Sequence, residues 1–228
     1  MHIEPGLVTG AKLILGFATA SAVLLLSAKM FVHDLKKDGG LVRTFIRSFI
    51  ATAAVFCFFE LLPHPAVGVS EVHLILGSTL FLLLGAGPAA FGLAMGLLLQ
   101  GLFFAPFDLP QYGMNVTTLL VPLLVVSKLS HRIIPKSIAY VDIRYSQALA
   151  LSLSFQGGIV AWVAFWSIYA EGLTWQSIGA ISSFGAAYMS VILVEPLIDL
   201  AVLFIAKQNV SGGVHSLLSC RVYVSNKP

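Results

Sequence analysis

Long apolar runs are the feature of this sequence that most restricts its fold. A helix needs roughly 20 residues to cross the hydrocarbon core of a membrane, which is about 30 Å thick. Apolar runs that we interpret as spans cover residues 8–31, 44–62, 88–105, 115–126, 146–169 and 178–206, and a shorter run covers 73–84. Only 10% of the residues are charged, against about 25% in soluble domains. We therefore predict an all-α, polytopic membrane protein.

The short run 73–84 affects the number of crossings. It is too short to be a complete helical span, and irregular backbone is tolerated at membrane depth only where protein surrounds it. We predict a truncated or partly re-entrant helix over this run. Counting it gives seven crossings, and the fold class is then a helical bundle of about six to seven transmembrane helices.

The positions of the charged residues predict the orientation of the bundle, because Lys and Arg collect in cytoplasmic loops. With seven crossings, one side receives Lys29, Lys36, Lys37, Arg43, Arg47, Lys128, Arg132, Lys136, Arg144, Lys207, Arg221 and Lys227. The loops of the other side carry Glu4, Glu60, Glu71, Asp108 and Glu171 without Lys or Arg, and Lys12, inside the first span, is the exception. We predict an N-terminus outside, a cytoplasmic C-terminus, and an acidic outer face that attracts cations.

The domain organisation is simple. Residues 1–207 are predicted to form one transmembrane domain, and residues 208–228 form a polar cytoplasmic tail that we expect to be loosely ordered. The sequence contains no P-loop and no dinucleotide fingerprint, so we do not expect this chain to hydrolyse ATP by itself. It also lacks a GxSxG nucleophile motif, and we expect no enzymatic activity.

The opening dipeptide, Met1 and His2, is a candidate metal chelate. The α-amine of Met1, the backbone nitrogen of His2 and its imidazole form two fused rings that lie close to a plane. Planar nitrogen donors suit Ni(II), Cu(II) and low-spin Co(II) better than Zn or Mg. A fourth donor is then needed, most naturally another histidine. The alternative is that His2 is an incidental residue of a frayed terminus.

Two further histidines precede or open the short run. His73 begins it, after the acidic outer loop, and an ionisable residue at membrane depth is a functional candidate. Alternatively, it is a neutral histidine that donates to a carbonyl group at the membrane interface. His64, between Pro63 and Pro65, is either a transient relay ligand or an exposed loop residue, and we favour the loop residue.

A stretch rich in Pro and Gly, residues 103–122, is predicted to form a lid or partial re-entrant loop at the outer face, with its mobile part over 103–115. The next predicted helix begins at Asn115. The amide of Asn115 either hydrogen-bonds a metal-bound histidine or caps that helix.

Two patterns inside the spans predict helix contacts. Gly92 and Gly96 form a small-xxx-small pair, which is typical of close helix packing. Glu195 and Asp199 lie one turn apart in the last span and therefore share a helix face. They mark either an ion route or a contact face. We favour a structural pairing of Asp199 with Lys29, and Glu195 lies too deep to belong to an outer site.

Together these residues resemble the CbiM/NikM family, the substrate-binding (S) components of energy-coupling-factor (ECF) transporters for cobalt and nickel. The resemblance rests on Met1, His2, Ile3 and Gly6, on Pro63, Pro65, His73 and Leu74, and on Phe104, Ala105, Gly113 and Asn115. It extends to about Ala206. In that family the metal is held by the N-terminal amine, by the amide and imidazole nitrogens of the second residue, and by a loop histidine. The resemblance implies these roles for Met1, His2 and His73.

One segment departs from the family pattern. Where the family reads close to GGTSGHL, this chain reads AVGVSEVHL over residues 66–74, with an extra residue and Glu71 beside His73. The added carboxylate either raises cation affinity or blocks a planar geometry. Glu71 and Asn115 are therefore candidates for groups that surround the metal without being its main ligands.

The resemblance implies a substrate-capture subunit of an importer in the bacterial inner membrane. Co(II) or Ni(II) is the expected transported substrate, without an organic cofactor. The expected partners are a transmembrane coupling subunit, ATPase subunits and membrane lipid, and no nucleic acid. The main alternative is a transmembrane scaffold or small-solute channel that binds no metal. A membrane metalloenzyme is a third possibility, for which Glu71 is the candidate base near the histidines.

Overall fold

The computed structural model describes residues 8, 10–37, 40–209 and 217–224. The α-helices in this part are α1 (Lys12–Lys37), α2 (Gly40–Glu60), α3 (Gly77–Leu84), α4 (Ala86–Phe103), α5 (Tyr112–Ile133), α6 (Tyr145–Glu171), α7 (Trp175–Met189) and α8 (Glu195–Gln208). Between α2 and α3 lies a small antiparallel hairpin of β1 (Ala66–Val67) and β2 (Ser70–Glu71). Short 3₁₀ turns cover Pro106–Gln111, Tyr140–Asp142, Ser190–Leu193 and Cys220–Val222. The predicted all-α class is confirmed.

Six helical segments in the described residues are long and apolar enough to cross a membrane: Lys12–Lys37, Gly40–Glu60, Ala86–Phe103, Pro106–Ile133, Tyr145–Glu171 and Trp175–Gln208. Large apolar side chains cover their outward faces, among them Leu25, Phe49 and Phe204. Such exposure is unfavourable in water and favourable against lipid tails. The chain is therefore a polytopic membrane protein, as its apolar runs predict.

The short run crosses the bundle by combining a segment of irregular backbone with a short helix. Residues 72–76 belong to no helix or strand, with a tight turn in which the Ile75 N–H donates to the carbonyl of His73 (3.0 Å), and α3 adds eight residues. His73 lies near Phe59 at the end of α2, whereas Gly85, just after α3, lies near Asp34 at the far end of α1. The helix begins at Gly77 rather than at His73. The segment nevertheless passes from one end of the bundle to the other, which together with the six long spans gives the predicted seven crossings.

We call the end of the bundle that carries His73 the outer end and the opposite end, at Lys37, the inner end, following the orientation predicted from the charges. Lys12, the exception to that charge pattern, donates to the carbonyls of Tyr169 (3.0 Å) and Ala170 (2.8 Å). These carbonyls are in the last turn of α6, where the helix dipole favours a cation. The position of Lys12 at the outer end therefore has a local structural reason.

A close helix contact, between α2 and α4, follows the predicted glycine pair. A Cβ atom on Gly92 would lie 2.3 Å from the Cβ of Ala51, and one on Gly96 would lie 2.5 Å from Cγ1 of Val55. Two helices approach this closely only where one of them has no side chain. The packing prediction for Gly92 and Gly96 is confirmed.

Two predicted segments differ in the structure. The last span, predicted as one run over 178–206, is interrupted, because α7 ends at Met189 and α8 begins at Glu195 with Pro196 in its first turn. Proline is tolerated there because the first helical N–H groups have no intrahelical acceptor. Within the predicted lid over 103–115, a 3₁₀ turn fills Pro106–Gln111, and α5 starts at Tyr112 rather than at the predicted Asn115.

Part of the tail docks against the inner end of the bundle. The Ser219 N–H donates to the carbonyl of Leu83 at the end of α3 (2.8 Å), and the Tyr223 hydroxyl donates to the carbonyl of Ala206 (3.1 Å). Val222 is fully buried. Residues 217–224 of the tail, which we expect from the sequence to be loosely ordered, are held against the bundle by an apolar side chain and two hydrogen bonds.

Candidate metal-binding site

His73 lies in the irregular segment between the hairpin and α3, at the outer end. Its side chain is fully buried, and its Nε2 lies 3.0 Å from Oε2 of Glu71. The hairpin brings Glu71 into this position by turning at Gly68, which has a φ of +63°. A Cβ at Gly68 would lie 2.1 Å from the carbonyl oxygen of Ala180 in α7. Only glycine fits both the turn and this close contact.

Aromatic rings surround the His73 imidazole. The Phe59 ring meets it edge-on with centroids 4.7 Å apart, and the His64 ring stacks on it at 5.1 Å with an interplanar angle of 11°. His64 is exposed, and its Nδ1 lies 3.0 Å from the carbonyl oxygen of Leu62. His64 is therefore an exposed loop residue, as predicted, and the structure in addition places its ring directly on that of His73.

The contact with Glu71 defines the chemistry of the His73 ring. An ionised carboxylate only accepts hydrogen bonds, so Nε2 is assigned as the protonated donor nitrogen. The lone pair then resides on Nδ1, which is buried. A carboxylate on the distal ring nitrogen is the usual partner of a metal-bound histidine, because it fixes ring orientation and raises ligand basicity. Glu71 is one-third exposed and so extends negative charge towards the outer surface.

Asn115 belongs to a cluster of buried polar side chains where the outer ends of α4 and α5 meet. Gln100, Asp108, Gln111 and Asn115 are each at most 6% exposed. Gln100, Asp108 and Asn115 line one small cavity together with Tyr112. The alternative that Asn115 caps its helix is wrong, because the N-cap of α5 is Gln111. A role for Asn115 near a metal stays a prediction.

The remaining predicted ligands, Met1 and His2, lie outside the described residues. Within residues 8, 10–37, 40–209 and 217–224, there is no group of three or more His, Cys, Asp or Glu side chains that could hold a metal ion. In the part of the chain that the structure describes, His73 has Glu71 and His64 beside it.

The sequence matches a known family over almost its whole length. The model of the CbiM family, described as the cobalt uptake substrate-specific transmembrane region, matches residues 2–210. The chain belongs to this family. No curated protein and no solved structure matches it. The match includes His2, the hairpin, His73 and all of α1 to α8, so the chain is a transmembrane component of cobalt uptake, and this family is a transporter component rather than an enzyme.

In this CbiM-family protein, two buried carboxylates from α8 hold the start of α3. Glu195 accepts from the Ser78 N–H (3.0 Å), the Ser152 hydroxyl (2.5 Å) and the Gln156 amide (2.8 Å). Asp199 accepts from the hydroxyls of Ser78 (2.7 Å) and Thr79 (2.5 Å). Gln156 also donates to the carbonyl of Ile75. A carboxylate at a helix N-terminus accepts hydrogen bonds from its free N–H groups, and the positive end of the helix dipole stabilises its negative charge.

The predicted pairing of Asp199 with Lys29 is therefore wrong. Asp199 faces α3, whereas Lys29 lines a cavity at the inner end. The shared face of Glu195 and Asp199 is confirmed, and its partner is α3. The sequence signal that could have found this partner is the Gly-Ser-Thr triplet at 77–79, which places hydroxyl donors at the start of an apolar helix.

Proposed function

We propose that this chain is the substrate-capture subunit of an ECF-type importer in the bacterial inner membrane and that it binds Co(II) or Ni(II) through Met1, His2 and His73. Membership of the CbiM family supports the cobalt uptake role. The observation that carries the site assignment is the fully buried His73 ring with its Nε2 held by Glu71 at 3.0 Å. A buried imidazole with a fixed tautomer is prepared to coordinate a cation without reorganisation.

The proposed coordination uses nitrogen donors. The Met1 amine and the amide and imidazole nitrogens of His2 supply three donors in a plane, and Nδ1 of His73 supplies the fourth. This set favours Co(II), Ni(II) and Cu(II) over Mg(II), which prefers oxygen ligands. Glu60 and Glu171 end α2 and α6 at the outer end, where their charges raise the local concentration of cations.

Capture of the ion must release protons, because the amine, the amide and the imidazoles all coordinate in their deprotonated forms. The reference pKa of an α-amine is about 8 and that of histidine is about 6.5. Metal affinity is therefore expected to fall steeply as the pH is lowered through this range. Transport requires energy that this chain does not supply, so the proposal includes a transmembrane coupling subunit and two ATPase subunits as partners.

The experiment is direct metal binding by the purified protein with Co(II), Ni(II), Cu(II) and Zn(II). The native terminus is compared with a chain that carries Gly-Ser ahead of Met1, with His73→Ala, and with His33→Ala as a matched control at the inner end. We expect about one Co(II) or Ni(II) per chain for the native protein and for His33→Ala. The chain with Gly-Ser ahead of Met1 and the His73→Ala variant should each lose more than about 100-fold in metal affinity, since each loses a ligand.

Two results would contradict this assignment. Equal binding by the native and the extended chain would exclude the terminal chelate. Unchanged binding by His73→Ala would exclude the buried histidine. If no variant binds metal, the alternative of a transmembrane scaffold or small-solute channel is favoured.

A further inference from the structure

A cavity of about 310 Å³ opens at the inner end of the bundle, on the opposite side of the membrane from the candidate metal site. Its walls come from α1, the beginning of α4, α5 and the docked tail segment 217–224. Five basic side chains line it: Lys29, His33 and Lys37 from α1, His131 from α5, and Arg221 from the tail. The cavity is therefore basic on three sides.

The basic residues of α1 are arranged in a stripe. Lys29, His33 and Lys37 are spaced four residues apart, which places them on one helix face. Among the described residues, neither lysine makes a hydrogen bond or a salt bridge that would neutralise it. Their charges are consequently available to an anion.

Among the described residues that line the cavity, Asp34 is the one carboxylate, and it already has a partner. Asp34 accepts a hydrogen bond of 2.7 Å from the N–H of Gly87, in the first turn of α4. This contact places the negative charge at the positive end of the α4 dipole. In the described part of the lining, the side chains of Lys29, Lys37 and Arg221 therefore outnumber the one carboxylate, which already has a partner.

Neutral donors complete the lining. The hydroxyls of Ser127, Ser219 and Tyr140 lie in the same cavity. Burial raises the pKa of Tyr140, so this hydroxyl keeps its proton at neutral pH. The guanidinium of Arg221 is held 5.2 Å above the Tyr140 ring and donates to the carbonyl of Pro135 at 3.0 Å. The tail thus presents a fixed cation to the cavity.

We propose that this cavity binds a phosphate group, either that of an anionic phospholipid headgroup or free phosphate. A phosphate presents several strong acceptor oxygens in different directions, which suits donors that converge from α1, α5 and the tail. Basic pockets between transmembrane helices on the cytoplasmic side are typical sites for anionic lipid headgroups. The size of the cavity is at the lower end of the range for small-molecule sites, about 300–1,000 Å³, and accommodates a phosphoglycerol group.

The test uses the full chain, purified in neutral detergent, and its thermal unfolding midpoint. Three additions are compared: phosphatidylglycerol, phosphatidylcholine, and sodium phosphate against sodium chloride at equal ionic strength. The test variant is the double substitution Lys29→Gln with Lys37→Gln. The matched control is Lys128→Gln with Arg132→Gln, which removes the same charge from α5 at the same end, outside the cavity.

We expect phosphatidylglycerol to raise the midpoint more than phosphatidylcholine, for the native and the control chain alike. The test variant should bind the anionic lipid roughly 10- to 30-fold more weakly. Native mass spectrometry of the same samples should show fewer phosphatidylglycerol molecules retained on the test variant than on the native or the control chain. If phosphate alone gives the full stabilisation and the test variant loses it, the site binds free phosphate.

Two outcomes would overturn the proposal. One is equal stabilisation of the native chain by phosphatidylglycerol, phosphatidylcholine and chloride. The other is an equal loss of binding in the test and control variants, which would mean that general surface charge, and not this cavity, attracts the anion. Neither outcome depends on metal binding at the outer end, so this inference stands apart from the proposed function.

Discussion

Gly77, the first residue of α3, packs against the ring of Phe155 in α6. A Cβ at this position would lie 2.2 Å from Cε1 and Cζ and 2.5 Å from Cδ1 of that ring. Ordinary carbon contacts are about 3.5–4.0 Å. The substitution Gly77→Ala must therefore displace either the ring or the start of α3 by more than about 1 Å.

The structure sets the size of the effect. Phe155 is fully buried, so its ring cannot turn towards lipid to make room. Inserting a methyl group into such a core costs about 1–3 kcal/mol, and the helix preference of alanine over glycine returns up to about 1 kcal/mol. We expect a net loss of about 1–2 kcal/mol for Gly77→Ala. Because the displaced segment carries His73, metal affinity should fall as well.

Equilibrium unfolding in mixed micelles measures the stability change, with Gly157→Ala as the matched control. Gly157 lies in α6 near Phe155, and no atom of a neighbouring residue lies within 4 Å of the point where alanine would place its Cβ, so alanine there should be neutral or stabilising. Adding Phe155→Leu to Gly77→Ala should recover part of the loss, since the two residues are in contact. The packing argument is refuted if Gly77→Ala is as stable as Gly157→Ala.

Three smaller predictions follow from other contacts. Glu195→Ala leaves three buried donors without their acceptor and should lower the free energy of unfolding by about 3 kcal/mol or more. Glu195→Gln should lower it less. Unfolding midpoints of the two variants would show this order, and equal losses of stability would contradict it. Asp34→Ala removes the acceptor of the Gly87 N–H and should cost about 1 kcal/mol, with Asp34→Asn near native in the same assay. Lys12→Met removes a cation from the end of α6 and should cost at most about 1 kcal/mol, an effect that high salt should diminish in the native chain.

The spans can be predicted well from the sequence because their signal is local. An apolar run of membrane length has few alternative structures, and glycines spaced by four, such as Gly92 and Gly96, have few reasons to occur other than close packing. The short run is also recognisable as incomplete. The start of its helix at Gly77 cannot be recognised from the sequence, because that start is stabilised by Glu195, a residue distant in sequence.

The candidate site is only partly predictable for a related reason. His73 can be identified from its chemistry at membrane depth, but the stacking of His64 depends on the hairpin that reverses the chain at Gly68. The predicted pairing of Asp199 is wrong, since hydropathy gives the depth of a residue and not the direction in which its helix face points. The periodicity of a sequence does not predict contacts of this kind, between side chains on different elements.

The hydrogen bond between Glu195 and the start of α3 has a mechanical consequence. Glu195 is the first residue of α8, and the turn Ser190–Leu193 separates α8 from α7. A displacement of α8 relative to α7 at that turn would be transmitted to the start of α3 by the hydrogen bonds that Glu195 and Asp199 accept from Ser78 and Thr79. The inner half of the last span and the segment that carries His73 are therefore connected directly, without passing through α7 or the hairpin.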